Sequence, residues 1–123
     1  MSYPKLEEQL IGHYWLAKTQ DGGDAVIYFY QIKAREGGIV KESRLAIWTE
    51  LIQGRITYRT EPSPFALQQC ERTHDLCLTF QGINQGTITF LESSFILDQE
   101  RSTLEFRILP DHEIRQLYQP ILM

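Results

Sequence analysis

Nothing in this 123-residue chain comes near the run of roughly 18 apolar residues that a membrane-spanning helix needs. Basic charge is equally short: 12 Lys and Arg against 16 Asp and Glu leave a net charge of −4. The cations are scattered singly, so no basic patch invites nucleic acid. Glycine pairs stand between strand-like segments rather than ahead of a helix, which excludes a phosphate-cradling loop. His13, His74 and His112 fall in three separate segments, and no serine sits in a nucleophile elbow. Asp111-His112-Glu113 brings carboxylates beside an imidazole, but it follows Pro110 in a turn-like context where polar residues are expected anyway. The expectation is therefore a protein without catalytic residues, cofactor or metal. The first residues, Met1 to Glu8, lack an apolar core of the secretory type, so the expected location is cytoplasmic. Internal repeats, low-complexity tracts and linkers are missing too, leaving a single domain over residues 1–123.

What the chain has in abundance is alternation. Arg55-Ile56-Thr57-Tyr58-Arg59-Thr60, Leu76-Cys77-Leu78-Thr79-Phe80-Gln81 and Leu104-Glu105-Phe106-Arg107-Ile108 place every second side chain on one face. Such segments recur with turn residues between them, at spacings that indicate antiparallel hairpins. The fold class is all-β: an up-and-down meander closing into a small barrel or half-barrel. A short helix precedes it, capped by Ser2 and running through Leu10, with Pro4 in its first turn. Strands are expected over about 11–18, 25–35, 39–51, 55–61, 66–71, 76–81, 87–92, 95–98, 103–109 and 113–119.

Glycine pairs allow the register to be argued. A two-residue Gly37-Gly38 loop suits the twist of a hairpin and sets Lys33 opposite Glu42, Gln31 opposite Arg44, Tyr30 opposite Leu45 and Tyr28 opposite Ile47. A three-residue loop would oppose Lys33 to Lys41, which like charge disfavours. The same rule at Gly22-Gly23 pairs Trp15 with Tyr30 and Ala17 with Tyr28. At Gln53-Gly54 it pairs Thr49 with Tyr58 and Trp48 with Arg59. These registers gather Ile11, His13, Trp15, Ala17, Val26, Tyr28, Tyr30, Ile32, Leu45, Ile47, Ile56 and Tyr58 on the expected interior.

Two candidate sites follow. Trp15, Tyr28, Tyr30 and Tyr58, with His13, form the walls of a ligand site in the barrel mouth, where aromatic rings and hydroxyl tips suit a small apolar or aromatic molecule. The same rings would otherwise simply fill the barrel. On the opposite face Leu16, Ile27, Phe29, Trp48 and Arg59 adjoin one another, a contiguous patch fit for a homodimer or a protein partner. The N-terminal helix, through Leu6 and Leu10, is the alternative cover for that patch.

Cys70 and Cys77 flank a short loop. If residues 72–75 make a four-residue turn, the two lie opposite each other. A reducing cytosol favours free thiols over a disulfide. A metal site with His74 is the third alternative, one ligand short of a structural zinc set.

The opening Leu10-Ile11-Gly12-His13-Tyr14-Trp15-Leu16 resembles the start of lipocalin-like (calycin) barrels, in which a helical turn leads through glycine to a tryptophan on the first strand. Glu113-Ile114-Arg115-Gln116-Leu117-Tyr118 resembles the closing strand of small members. Two residues, His13 and Tyr14, separate glycine from tryptophan here, where family lipocalins have one. The resemblance implies binding of a hydrophobic or tetrapyrrole-like molecule, and a bilin-lyase-like chromophore transfer as a further alternative. It brings no catalytic residue with it.

Overall fold

The computed structural model describes residues 3–71, 73–118 and 121. A helix α1 (Pro4–Leu10) leads into β1 (Tyr14–Lys18), β2 (Asp24–Glu36), β3 (Ile39–Ile52), β4 (Arg55–Arg59), β5 (Ser63–Gln69), β6 (Leu76–Phe80), β7 (Ile83–Phe90), β8 (Ser94–Asp98) and β9 (Thr103–Ile108). A second helix, α2 (Asp111–Leu117), ends the described elements. All pairings between these strands are antiparallel, in the order β2-β1-β9-β8-β7-β6-β5-β3, and the β2–β3 pairing joins the two ends of that order. The result is a closed barrel of eight strand positions. β4 and β5 share the eighth, because both lie along the same edge of β3, β4 on residues 49–52 and β5 on residues 45–46.

The β2–β3 hairpin has the register that Gly37-Gly38 predicts, with Lys33 opposite Glu42 and Tyr30 opposite Leu45. Both glycines have positive φ, 57° and 81°, as a primed two-residue turn demands. At Gln53-Gly54 the two-residue loop also holds for Ile52↔Arg55 and Leu51↔Ile56. A bulge between Glu50 and Leu51 then displaces the rest, so Tyr58 meets Glu50 and Arg59 meets Thr49, not Thr49 and Trp48.

The first hairpin departs from expectation, and the departure inverts part of the barrel. Trp15 pairs with Ile27 and Ala17 with Ala25, so the partners lie three residues nearer the turn than Tyr30 and Tyr28. The turn is built by side chains instead of by diglycine alone. The Gly23 N–H donates to Thr19 Oγ1 at 3.0 Å and to Asp21 Oδ1 at 3.2 Å, and the Thr19 hydroxyl donates to Asp21. Gly23 is needed for space, since a Cβ there would lie 2.7 Å from the Leu51 carbonyl oxygen. An odd displacement moves every residue of the partner strand to the other face. Ala25, Ile27 and Phe29 therefore join Trp15 and Ala17 inside, and Val26, Tyr28 and Tyr30 go outside.

The interior is filled by Trp15, Ile27, Phe29, Phe65, Leu67, Leu78, Phe80, Ile88, Phe95, Leu97 and Phe106. Phe95 lies at its centre, stacked on Phe106 at 4.9 Å and edge-on to Trp15 at 4.9 Å. A second cluster lies outside the barrel wall, where α2 and Ile121 cover Leu16, Val26 and Leu51. The expected strand over 113–119 is thus corrected: residues 111–117 are helical. Pro110 stands at the N-cap and Asp111 and Glu113 in the first turn. Ile114 and Tyr118, four apart, are both buried on the covered side. No helix among the described residues is long and apolar enough to cross a membrane.

Candidate functional site: the open end of the barrel

The turns β1–β2, β3–β4, β6–β7 and β8–β9 meet at one end of the barrel, and α1 lies across the other. The closed end is tied by polar groups. Glu7, 6 % exposed, accepts the Leu67 N–H at 2.8 Å and an Arg44 Nη1 hydrogen bond at 2.9 Å. Arg44 also donates to the Pro4 carbonyl and to Gln31. Trp15 Nε1 donates to the Leu10 carbonyl at 3.1 Å, fixing the ring beneath the helix. These bonds hold α1 across this end of the barrel.

At the open end a cavity of about 450 Å³ lies over the packed interior. Its apolar lining is Trp48, Tyr58, Phe80 and Leu104, and its polar lining includes Glu50, Asp21, Thr60, Ser102 and the glutamines 20, 81, 85 and 99. Trp48 comes from the inward face of β3, edge-on to Phe106 with ring centres 5.8 Å apart. Glu50, two residues on and so on the same face, accepts a hydrogen bond from Trp48 Nε1 at 3.2 Å. The β3–β4 bulge sets Tyr58 opposite Glu50, which turns the tyrosine to this side. Asp21 is fully exposed, and the Thr19 hydroxyl and the Gly23 N–H hold its carboxyl below the ordinary carboxylate value of 3.8. The arrangement combines an aromatic floor, neutral amide and hydroxyl groups and two carboxylates.

The expected wall residues scatter. Tyr58 lines the open cavity, whereas Trp15 is buried at the closed end. His13 is exposed beside Trp15, with ring centres 6.0 Å apart. Tyr28 and Tyr30 are corrected to the outer surface. There they form a ladder with Tyr14, ring centres 4.2 Å and 5.3 Å apart and nearly parallel. The ladder borders an outer groove of about 200 Å³ shared with Thr49, Arg59 and Ile121. Burial there raises the Tyr14 pKa above the ordinary 10.0, helped by Tyr28 and Asp111 and opposed by Arg59.

The expected interface patch is corrected by the same inversion. Ile27 and Phe29 are inside the barrel and Leu16 lies under α2, each at most 2 % exposed. Trp48 faces the open cavity, and Arg59 faces outward and donates to the Ile121 carbonyl at 3.3 Å. The five residues share no surface.

Cys70 and Cys77 are joined as a disulfide, Cα atoms 5.6 Å apart, which corrects the expectation of free thiols. The Cys70 N–H bonds to the Asp75 carbonyl and Gln68 pairs with Cys77. The cysteines are thus offset along the hairpin instead of directly opposite. Engaged in that bond, neither serves as a thiolate ligand for His74 to complement. No group of three metal-ligating side chains occurs among the described residues.

Sequence reasoning missed Phe80, Leu104, Glu50 and the glutamines. A signal for them existed: in an up-and-down barrel alternate turns lie at the same end, and these residues sit in or next to such turns. The break between β4 and β5 hid it, because counting them as two strands assigns the later turns to the wrong end. No family model matches the chain, and neither the curated proteins nor the solved structures give a match.

Proposed function

We propose that the protein binds a small hydrophobic or aromatic molecule in the barrel mouth without transforming it, in the manner of calycin barrels. The observation that carries this reading is the open cavity of about 450 Å³ over Trp48, Tyr58, Phe80 and Leu104. Its size falls within the range usual for small-molecule sites, and three aromatic rings and a leucine share its lining with nine polar side chains. The resemblance to calycins gains support from the eight-position barrel, the helix across one end and the tryptophan of β1 hydrogen-bonded beneath it. The walls proposed are Trp48, Tyr58, Phe80 and Leu104; of the residues first expected, Tyr58 alone belongs to them.

The test uses N-phenylnaphthylamine, a neutral aromatic dye that brightens on leaving water. Saturable brightening is expected, and Tyr58→Ala weakens it about tenfold by removing one ring face. Tyr28→Ala and Tyr30→Ala, on the outer wall, leave it unchanged. Absence of saturable binding, or an equal loss in Tyr30→Ala, overturns the reading.

A further inference from the structure

The charged side chains that line the cavity are of one sign, while Arg55 and Arg101 stand at turns of the same end without lining it. Asp21 and Glu50 line the cavity, and among the described residues its lining contains no lysine, arginine or histidine. The remaining polar groups are neutral amides and hydroxyls, which hydrogen-bond to a ligand of any charge. Glu50 is held against the Trp48 ring edge by the Nε1 hydrogen bond at 3.2 Å, which fixes a carboxylate beside the aromatic floor. An organic cation gains twice from that juxtaposition, from the carboxylate and from neighbouring π faces. A ligand carboxylate meets repulsion from both acids and finds no cation in the lining to offset it.

We propose that the barrel mouth selects aromatic amines, with Glu50 as the counter-ion of the ammonium group and Trp48 and Tyr58 against the ring. The proposal rests on the reading of the mouth as a ligand cavity and adds the ligand's charge to it. It also runs against tetrapyrroles of the acidic kind, whose propionates would enter a cavity lined by carboxylates. Asp21 acts at the rim as a second negative charge, fully exposed and therefore screened by salt.

The test compares naphthylmethylamine, naphthalenemethanol and naphthoic acid, three probes of one ring size and three charges, by titration calorimetry on the full chain. The amine is expected to bind about tenfold more tightly than the alcohol, with the acid weakest. Glu50→Gln keeps the side-chain shape and lowers amine affinity about tenfold, more than it lowers that of the alcohol. Glu105→Gln, on the outer face of β9, leaves the amine-to-alcohol ratio unchanged. Asp21→Asn at the exposed turn reduces the ratio by less than Glu50→Gln, which keeps the test open should the Glu50 variant misfold. Measurable binding with amine and alcohol equal, or a preference for the acid, overturns the charge inference and leaves the cavity reading standing. An amine preference that survives Glu50→Gln in a folded protein overturns Glu50 as counter-ion. If none of the three probes binds, the cavity reading itself falls and takes the inference with it.

Discussion

Glu7 of α1 and Arg44 of β3 meet at 2.9 Å at the closed end of the barrel, 37 residues apart in sequence. The carboxylate also caps the Leu67 N–H at 2.8 Å, so one side chain joins the helix to two strands. Removing one partner of a largely buried ion pair leaves the other without its counter-charge. Glu7→Ala is expected to lose about 3 kcal/mol of stability, read from urea unfolding. Glu7→Gln, which still accepts a hydrogen bond, loses about half as much. Equal losses would show that the charge itself contributes nothing.

The two faces of β2 make the sharpest contrast. Phe29 is fully buried against Phe65, ring centres 4.7 Å apart, so Phe29→Ala is expected to cost about 4 kcal/mol. Tyr30, half-buried on the outer ladder, is expected to cost about 1 kcal/mol as Tyr30→Ala. Thermal melting of the two variants checks the assignment of inside and outside, and a reversed order would refute it.

The pattern of the chain carried the barrel and much of its register. Long alternation in β2 and β3 and the positive φ at Gly37 and Gly38 left one way to pair that hairpin. Alternation alone does not say which face is inside, because β2 is apolar on both: Ile27 and Phe29 on one, Val26, Tyr28 and Tyr30 on the other. The choice rested on the short β1–β2 turn, where Thr19 and Asp21 set the loop through side-chain hydrogen bonds that a glycine count does not see. The α2 segment, too short and too mixed to settle its own state, owes its helix to burial of Ile114 and Tyr118. The mouth was legible only through Tyr58, since its other walls depend on turns far apart in sequence sharing one end.

The Cys70–Cys77 bond closes a short loop at a sequence separation of 7. Cross-linking so few residues restrains the unfolded chain by about 2 kcal/mol on the loop-entropy relation. The double variant Cys70→Ala/Cys77→Ala is expected to lose about that much in denaturant unfolding and to keep the mouth's ligand affinity. Alkylation without prior reduction checks the pairing: protein from an oxidising preparation should take up no label.

Alkaline pH acts on the outer wall. Burial raises Tyr14 above its ordinary 10.0, and the hydrogen bond to Asp24 raises Lys18 above 10.5. In both the folded state holds the proton more tightly than the unfolded chain. Their stabilisation is complete below those ordinary values and disappears as pH climbs past the raised folded ones. Lys18 is 73 % exposed and solvent screens its pair with Asp24, so Tyr14 accounts for most of the effect. Melting temperature should fall above about pH 10, and Tyr14→Phe should flatten that fall. An identical alkaline profile in the variant would refute the assignment.

The β2–β3 hairpin runs past the barrel at the end that α1 closes, with Ile32, Ile39 and Val40 each at least 45 % exposed. Its tip at Gly37-Gly38 is therefore a handle, remote from the entrance and supported among the described residues by its own ladder. A fluorophore or peptide tag grafted there would report on or immobilise the molecule while the opposite opening stays unobstructed. Amide exchange should release the tip by local fraying long before the barrel opens.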